Sequence, residues 1–346
     1  MPDTRIPVTL LTGFLGAGKS TLLNKVLSHE GGERLAIIVN EFGDIGLDHD
    51  LIETSDEDIT LLSSGCICCS IRGDLASTIP SLLSRRARGK VAFDRIVIET
   101  TGLAEPAPIQ TTLVGEAILA RSVVMDGIVT VADALHGTAT FDAHFESVSQ
   151  IAMADLVLVS KGDLVSADEM EAFHARVKRI NGTADIVDTG TVADDPSVMW
   201  GRSAVKHGMG FDAAMAWMAP KPAAADPMAN LSGMAASKPV AMPVATHNEG
   251  RVTSAAILLD RPIKRGDLAD WLEDLQQSRG DSVLRVKGIV FLEGEGAPLV
   301  FHGVQHTYDQ PAPLETWDPD DMRSRIVVIA RDISQTRLQR ILDKLA

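Results

Sequence analysis

The segment Val8–Thr21, VTLLTGFLGAGKST, decides the fold. An apolar run, Val8–Leu11, leads to Gly13, four residues, then Gly18, Lys19 and Ser20, and a helix-compatible stretch, STLLNKVL, follows. That is the G-x-x-x-x-G-K-[ST] spacing in its proper strand–loop–helix setting. Glycines there let successive backbone N–H groups converge on phosphate oxygens, and the N-terminus of the following helix adds partial positive charge. Gly13, Gly16, Ala17, Gly18, Lys19, Ser20 and Thr21 are therefore the candidate nucleotide-binding set. Lys19 is expected to reach the β- and γ-phosphates, and the Ser20 hydroxyl to ligate Mg²⁺.

Outward from this loop, short apolar runs suited to strands buried on both faces recur at Leu35–Asn40, Ile96–Glu99, Gly127–Val131 and Leu156–Ser160. Helical stretches such as Thr21–Ser28 and Leu75–Ala87 lie between them. The expectation is an α/β fold: a P-loop NTPase domain with a mostly parallel sheet over 1–218, followed by a smaller α+β domain over 243–346. Between them an Ala- and Pro-rich stretch, 219–242, reads as a linker or surface loop. In the second domain, strands are expected at Val252–Leu259, Val283–Leu292, Leu299–Gly303 and Arg325–Ala330, and helices at Gly266–Gln277 and Ser334–Lys344. Lys plus Arg is 32 against 47 Asp plus Glu, a net charge of −15 with no long basic run, which argues against nucleic acid or an anionic membrane as partner. No apolar run suits a membrane span and no signal peptide is evident, so a cytoplasmic location is expected.

DRIVIETTG places Glu99 at the end of a buried strand, where P-loop proteins hold Mg²⁺, usually through a water. Gly102 can offer its N–H to a γ-phosphate, so Lys19, Glu99 and Gly102 are the candidate catalytic residues. LVLVSKGD ends a further strand with Ser160, Lys161 and Asp163. One carboxylate can accept both the N1–H and the 2-amino group of guanine, and adenine offers neither, so Asp163 favours GTP. The Lys161 stem can cover one face of the base. Serine at 160, where many GTPases have Asn or Thr, puts one supporting hydrogen bond in doubt. Leu103, Ala104 and Glu105 follow Gly102 with no glutamine to orient water. Turnover on the order of 10⁻⁴ to 10⁻² s⁻¹ is expected by analogy with unassisted GTPases.

All three cysteines, Cys66, Cys68 and Cys69, fall within four positions of SSGCICCSIRGDL, between the phosphate loop and the Glu99 strand. Three readings are open: thiolates converging on Zn²⁺, Cu⁺ or Co²⁺, a redox pair, or small buried hydrophobes. Only three ligands are local, so a fourth must be water, a partner's donor or a distant side chain. The pair His302 and His306 in HGVQH is read as a loop or a partner-facing segment, and the acidic ETSDED as a solvated loop. His136 and His144 flank a helix start, and Trp271 with Leu268 and Leu275 reads as core.

In this order, GFLGAGKSTLLN, VNEFGDIGLD, GCICCS, ETTGLAEP and SKGD resemble the CobW-like metal-associated P-loop GTPases. DLADWLEDL, LRVKGIVFL, HGVQHTYD and SRIVVIARD resemble that family's C-terminal domain, so the likeness covers nearly the whole chain apart from the linker. The resemblance implies a GTP-dependent metallochaperone or insertase handling Zn²⁺ or Co²⁺ for a client metalloprotein. The family's metal motif falls on Cys66, Cys68 and Cys69, and its switch motif on Asn40, Glu41, Phe42 and Gly43, with Glu41 a possible extra ligand. Two rivals stay open: a GTP-binding metal sensor or scaffold without productive hydrolysis, and a P-loop kinase acting on a small molecule.

Overall fold

Alternate residues of the same strands enter two different cores, which is why the strands read as continuous apolar runs. Val8, Leu10, Ile38, Ile96 and Ile98 face one cluster, and Leu11, Ile37, Val39 and Val97 face the other. The structure, a computed structural model, describes residues 4–29, 33–40, 59–61, 67–71, 75–202, 214–215, 218, 248–308, 311–314 and 316–345. The expected linker 219–242 and the ETSDED stretch lie outside these residues.

The first sheet holds β1 (Ile6–Thr12), β2 (Leu35–Asn40), β3 (Ile59–Leu61), β4 (Ile67–Ile71), β5 (Arg95–Thr100), β6 (Val123–Asp133), β7 (Leu156–Ser160) and β8 (Asp185–Asp188). Their order is β3-β4-β2-β5-β1-β6-β7-β8. Among the described residues only β3 runs antiparallel to its neighbour in this sheet; the other pairings are parallel. Helices α1 (Lys19–Leu27), α2 (Leu75–Ala87), α3 (Ala107–Gly115), α4 (Ala117–Ser122), α5 (Gly137–Ala143), α6 (Phe145–Met153), α7 (Ala167–Ile180) and α8 (Thr189–Asp194) connect and cover the strands. Local sequence sets their ends: α7 starts on a capping box in which Ser166 and Glu169 satisfy each other's backbone N–H groups. With β1 between β5 and β6, the loop after β1 opens at the carboxyl edge of the sheet, where ligands of doubly wound folds bind.

The second sheet is antiparallel: β9 (Val252–Leu259), β10 (Val283–Val290), β11 (Leu299–Val304), β12 (Thr307–Tyr308), β13 (Ala312–Pro313) and β14 (Ser324–Arg331). The order is β12-β11-β10-β14-β9, with β13 on β11. Helices α9 (Arg265–Arg279) and α10 (Gln335–Leu342) cover one face. Trp271, Leu268 and Leu275 are buried there as expected, and the Trp271 indole N–H donates to the Ile341 carbonyl at 2.9 Å.

The opposite face meets the first domain. Leu284, Val304 and Ile329 enter the same apolar cluster as Val148, Ile151 and Val177. Within that contact the Arg285 guanidinium donates to the Met153 carbonyl and to Asp155. Lys287 Nζ lies 4.0 Å from Asp155 Oδ1, and the Ile128 N–H donates to Oδ2 at 3.0 Å. Burial alone would push the Asp155 carboxyl up, but Arg285, Lys287 and His302 together hold it below the usual carboxylate range. His302 is therefore no loop residue: it sits within β11, 3% exposed, against this charged group. Among the described residues no helix is long and apolar enough to cross a membrane.

Candidate functional site

The loop after β1 has the backbone its sequence demands. Gly13, Gly16 and Gly18 have φ of 141°, 73° and 96°. At Gly13 the reason is also space, since a Cβ would lie 2.3 Å from the Val131 carbonyl oxygen of β6. Lys19, the first residue of α1, is buried, and its Nζ donates to the carbonyls of Gly13 at 2.8 Å and Phe14 at 3.3 Å. The ammonium is thus held over the loop whose N–H groups would receive phosphate. Ser20 Oγ donates to Glu99 Oε1 at 3.0 Å. Glu99 reaches that point because β5 pairs with β1 in the register Leu11↔Glu99, and Thr100 Oγ1 ties the two strand ends by donating to Thr12 Oγ1 at 2.8 Å. A hydroxyl and a carboxylate side by side are hard oxygen donors that suit Mg²⁺.

Gly102 rests directly on the phosphate loop, where a Cβ would meet Leu15 N at 2.5 Å. The loop it begins is fixed by a residue the sequence reading missed. Gln150 of α6, 1% exposed, donates its amide to the carbonyls of Gly102 and Ala104, each at 3.1 Å. Nothing in the sequence spacing marked it; only the fold shows that its short helix is buried from Ser147 to Met153.

The Ser160 hydroxyl donates to the Ala17 carbonyl at 2.6 Å, which ties the strand end to the phosphate loop. Lys161 adopts φ 57° and donates from Nζ to Gly16 O at 2.9 Å and to Asp133 Oδ2 at 2.5 Å. Asp133, also missed, ends β6 and accepts the N–H groups of Leu135 and His136 through Oδ1. Asp163 lies on the exposed turn Gly162–Leu164 just beyond. His144 stacks on Phe14 with ring centroids 4.7 Å apart, and His136 lines a cavity of 110 Å³ with Phe14, Gly16, Asp133, Gln150 and Lys161.

The structure thus brings together the phosphate loop, Glu99, Gly102 and the Ser160–Asp163 turn. Cys66 and Glu41 lie outside the described residues. Cys68 and Cys69 lie on β4 rather than in a connecting loop. They pair in parallel with Ile37 and Ile38 of β2, and antiparallel with Thr60 and Ile59 of β3. One lateral row of the sheet therefore runs Cys69, Ile38, Ile98, Leu10, with Glu99 one residue further along its strand. β4 is two strand spacings, about 10 Å, from β5. The histidine pair is separated, His302 in the interdomain contact and His306 on Asp281 at 2.9 Å.

Fold and site together define a P-loop nucleotide-binding protein. Residues 7–188 match the family described as CobW/HypB/UreG, nucleotide-binding domain, and residues 252–346 match the cobalamin synthesis protein cobW C-terminal domain. The chain belongs to the CobW family. It is 31% identical over 345 residues to the zinc chaperone YjiA of Escherichia coli (strain K12), covering 96% of each chain. It is 37% identical over 191 residues to the zinc-regulated GTPase metalloprotein activator 1 of Schizosaccharomyces pombe, a match that covers 53% of this chain and 46% of that one. The crystal structure of Zn(II)-bound YjiA GTPase from E. coli superposes with a TM-score of 0.75 at 30% identity over 99% of both chains.

Proposed function

We propose that this protein is a GTP-dependent zinc chaperone that hydrolyses GTP slowly and hands its metal to a client protein. The observation that carries the nucleotide half is the Ser160–Ala17 bond, which joins the base-reading turn to the phosphate loop in one unit. Asp163 would read guanine, Lys19 and the loop N–H groups would bind the phosphates, and the Gly102 N–H would meet the γ-phosphate. Ser20 and Glu99 would hold Mg²⁺, which when bound offsets phosphate charge. The metal cargo is assigned to Cys66, Cys68 and Cys69, with Glu41 as a further donor; thiolates suit Zn²⁺ and also accept Co²⁺. The names of the relatives support zinc, and the place of Cys68 and Cys69 beside β2 supports coupling. β2 pairs with the Glu99 strand on one side and with the cysteine strand on the other, and its last residue leads into the expected switch at Glu41. GTP ordering that switch would change metal affinity, and hydrolysis would release the ion; by linkage, metal must change GTP affinity by the same factor.

Co²⁺ titration of the apo protein, followed by thiolate-to-cobalt absorption, tests this with Mg-GTP, with Mg-GDP and without nucleotide. The expected result is a thiolate band that tightens with GTP and is lost in the Cys66/Cys68/Cys69→Ser protein. Equal affinity in all three nucleotide states would sink the linkage.

A further inference from the structure

We propose that Gln305 and Arg331 of the second domain are positioning residues for the nucleotide site, acting through Glu105; this rests on the GTPase reading above. Glu105 stands three residues beyond Gly102. The loop between them is held from the first domain by Gln150 and by the contact of Gly102 with Leu15. From the other side, each carboxylate oxygen of Glu105 is taken by a different part of the second sheet. Gln305 Nε2 donates to Oε2 at 3.2 Å, and Arg331 Nη1 donates to Oε1 at 3.1 Å.

The second domain is built to present both groups. Gln305 lies in the two-residue turn between β11 and β12 at φ 50°, a left-handed conformation that a non-glycine residue adopts only when its surroundings impose it. The turn is pinned through His306, whose ring nitrogens contact the Gln276 carbonyl at 3.2 Å and Asp281 Oδ1 at 2.9 Å. Thr307, the next residue, hydrogen-bonds Thr111 at 2.7 Å, on the helix that follows the Glu105 loop. Arg331 is oriented by its Nε, which donates to the Asp281 carbonyl at 2.7 Å. Glu105 and Arg331 keep 30% and 25% of their side-chain surface exposed, so water can replace either partner at small cost and the contact can open and close. A loop that must meet a γ-phosphate through Gly102 is therefore biased by the second domain, and the nucleotide must bias the second domain in return.

The test uses the full-length protein with Glu105→Ala, Gln305→Ala and Arg331→Ala, each checked for cooperative thermal unfolding. Affinities for fluorescent GTPγS and GDP are measured together with kcat and KM for GTP. Gly102 touches only the γ-phosphate in this reading. The expected result is thus a preference for GTPγS over GDP that shifts about three- to tenfold, with GDP affinity held within about twofold. The Glu105→Ala/Arg331→Ala double variant should match the worse single, and the charge-swapped Glu105→Arg/Arg331→Glu pair should recover part of the preference. Parallel loss of affinity for both nucleotides would mark a merely structural contact and overturn the proposal, as would a preference that none of the three moves. Wild-type protein that binds no guanine nucleotide would sink the GTPase reading and this inference with it. Wild-type binding with an unmoved preference sinks the inference alone.

Discussion

Two of the contacts by which the second domain grips the first are of opposite character. At Asp155 a carboxylate 4% exposed meets Arg285, which is 1% exposed, amid apolar packing from Leu284 and Ile329. At Glu105 the partners are half-wet and the hydrogen bonds are long. The first contact cannot open without stranding a buried charge, so it acts as a fixed pivot. The second costs little to break, so it can follow a moving loop. An interface made only of the first kind would fuse the domains without communication; one made only of the second would not hold a fixed geometry.

Arg285→Ala should break this comparison most severely. Removing one partner of a buried ion pair typically costs about 3–5 kcal/mol, measurable by denaturant unfolding, and a cost below about 1 kcal/mol would show that Asp155 is no pivot. The acid limb of stability sharpens it next. Because the folded protein holds the Asp155 carboxyl below its ordinary value of about 3.9, its stabilising share is present above about pH 4 and is lost as the pH falls through the lower folded value. Asp155→Asn should therefore show a shallower loss of stability below about pH 4 than the wild type in pH-dependent thermal melts; identical acid limbs would count against the assignment. The smallest effect is expected at the other contact, where Arg331→Ala should lower unfolding free energy by no more than about 1 kcal/mol. A larger loss would make the Glu105 contact a second pivot.

Much of the nucleotide end was legible because its chemistry is local. The phosphate loop follows a buried strand, and Glu99 and Ser160 stand at the ends of two others; short apolar runs give such strands away. β4 was harder: ICCSI is five residues with two thiols, and nothing in it separates a strand from a switch loop. β8 is a four-residue edge, only partly buried, with no apolar run to find. Gln150, Asp133 and the Glu105 contacts were invisible for a different reason. Their partners are other segments, 46 and 48 residues away for Gln150 and 200 and 226 for Glu105, and spacing carries no trace of them. Arg285 and Lys287 did leave a mark, two cations within the strand LRVKGIVF, but only the fold supplies their carboxylate.

The Asp155–Arg285 pair also has a consequence for synthesis. Its members are 130 residues apart, so the first sheet leaves the ribosome with the carboxylate and the apolar face around Val148 uncovered. At roughly 5 to 20 residues per second, that face waits on the order of ten seconds for β10 to emerge. During that interval the nascent half-protein is a sticky intermediate, and holdase chaperones would act on it before its own C-terminus does.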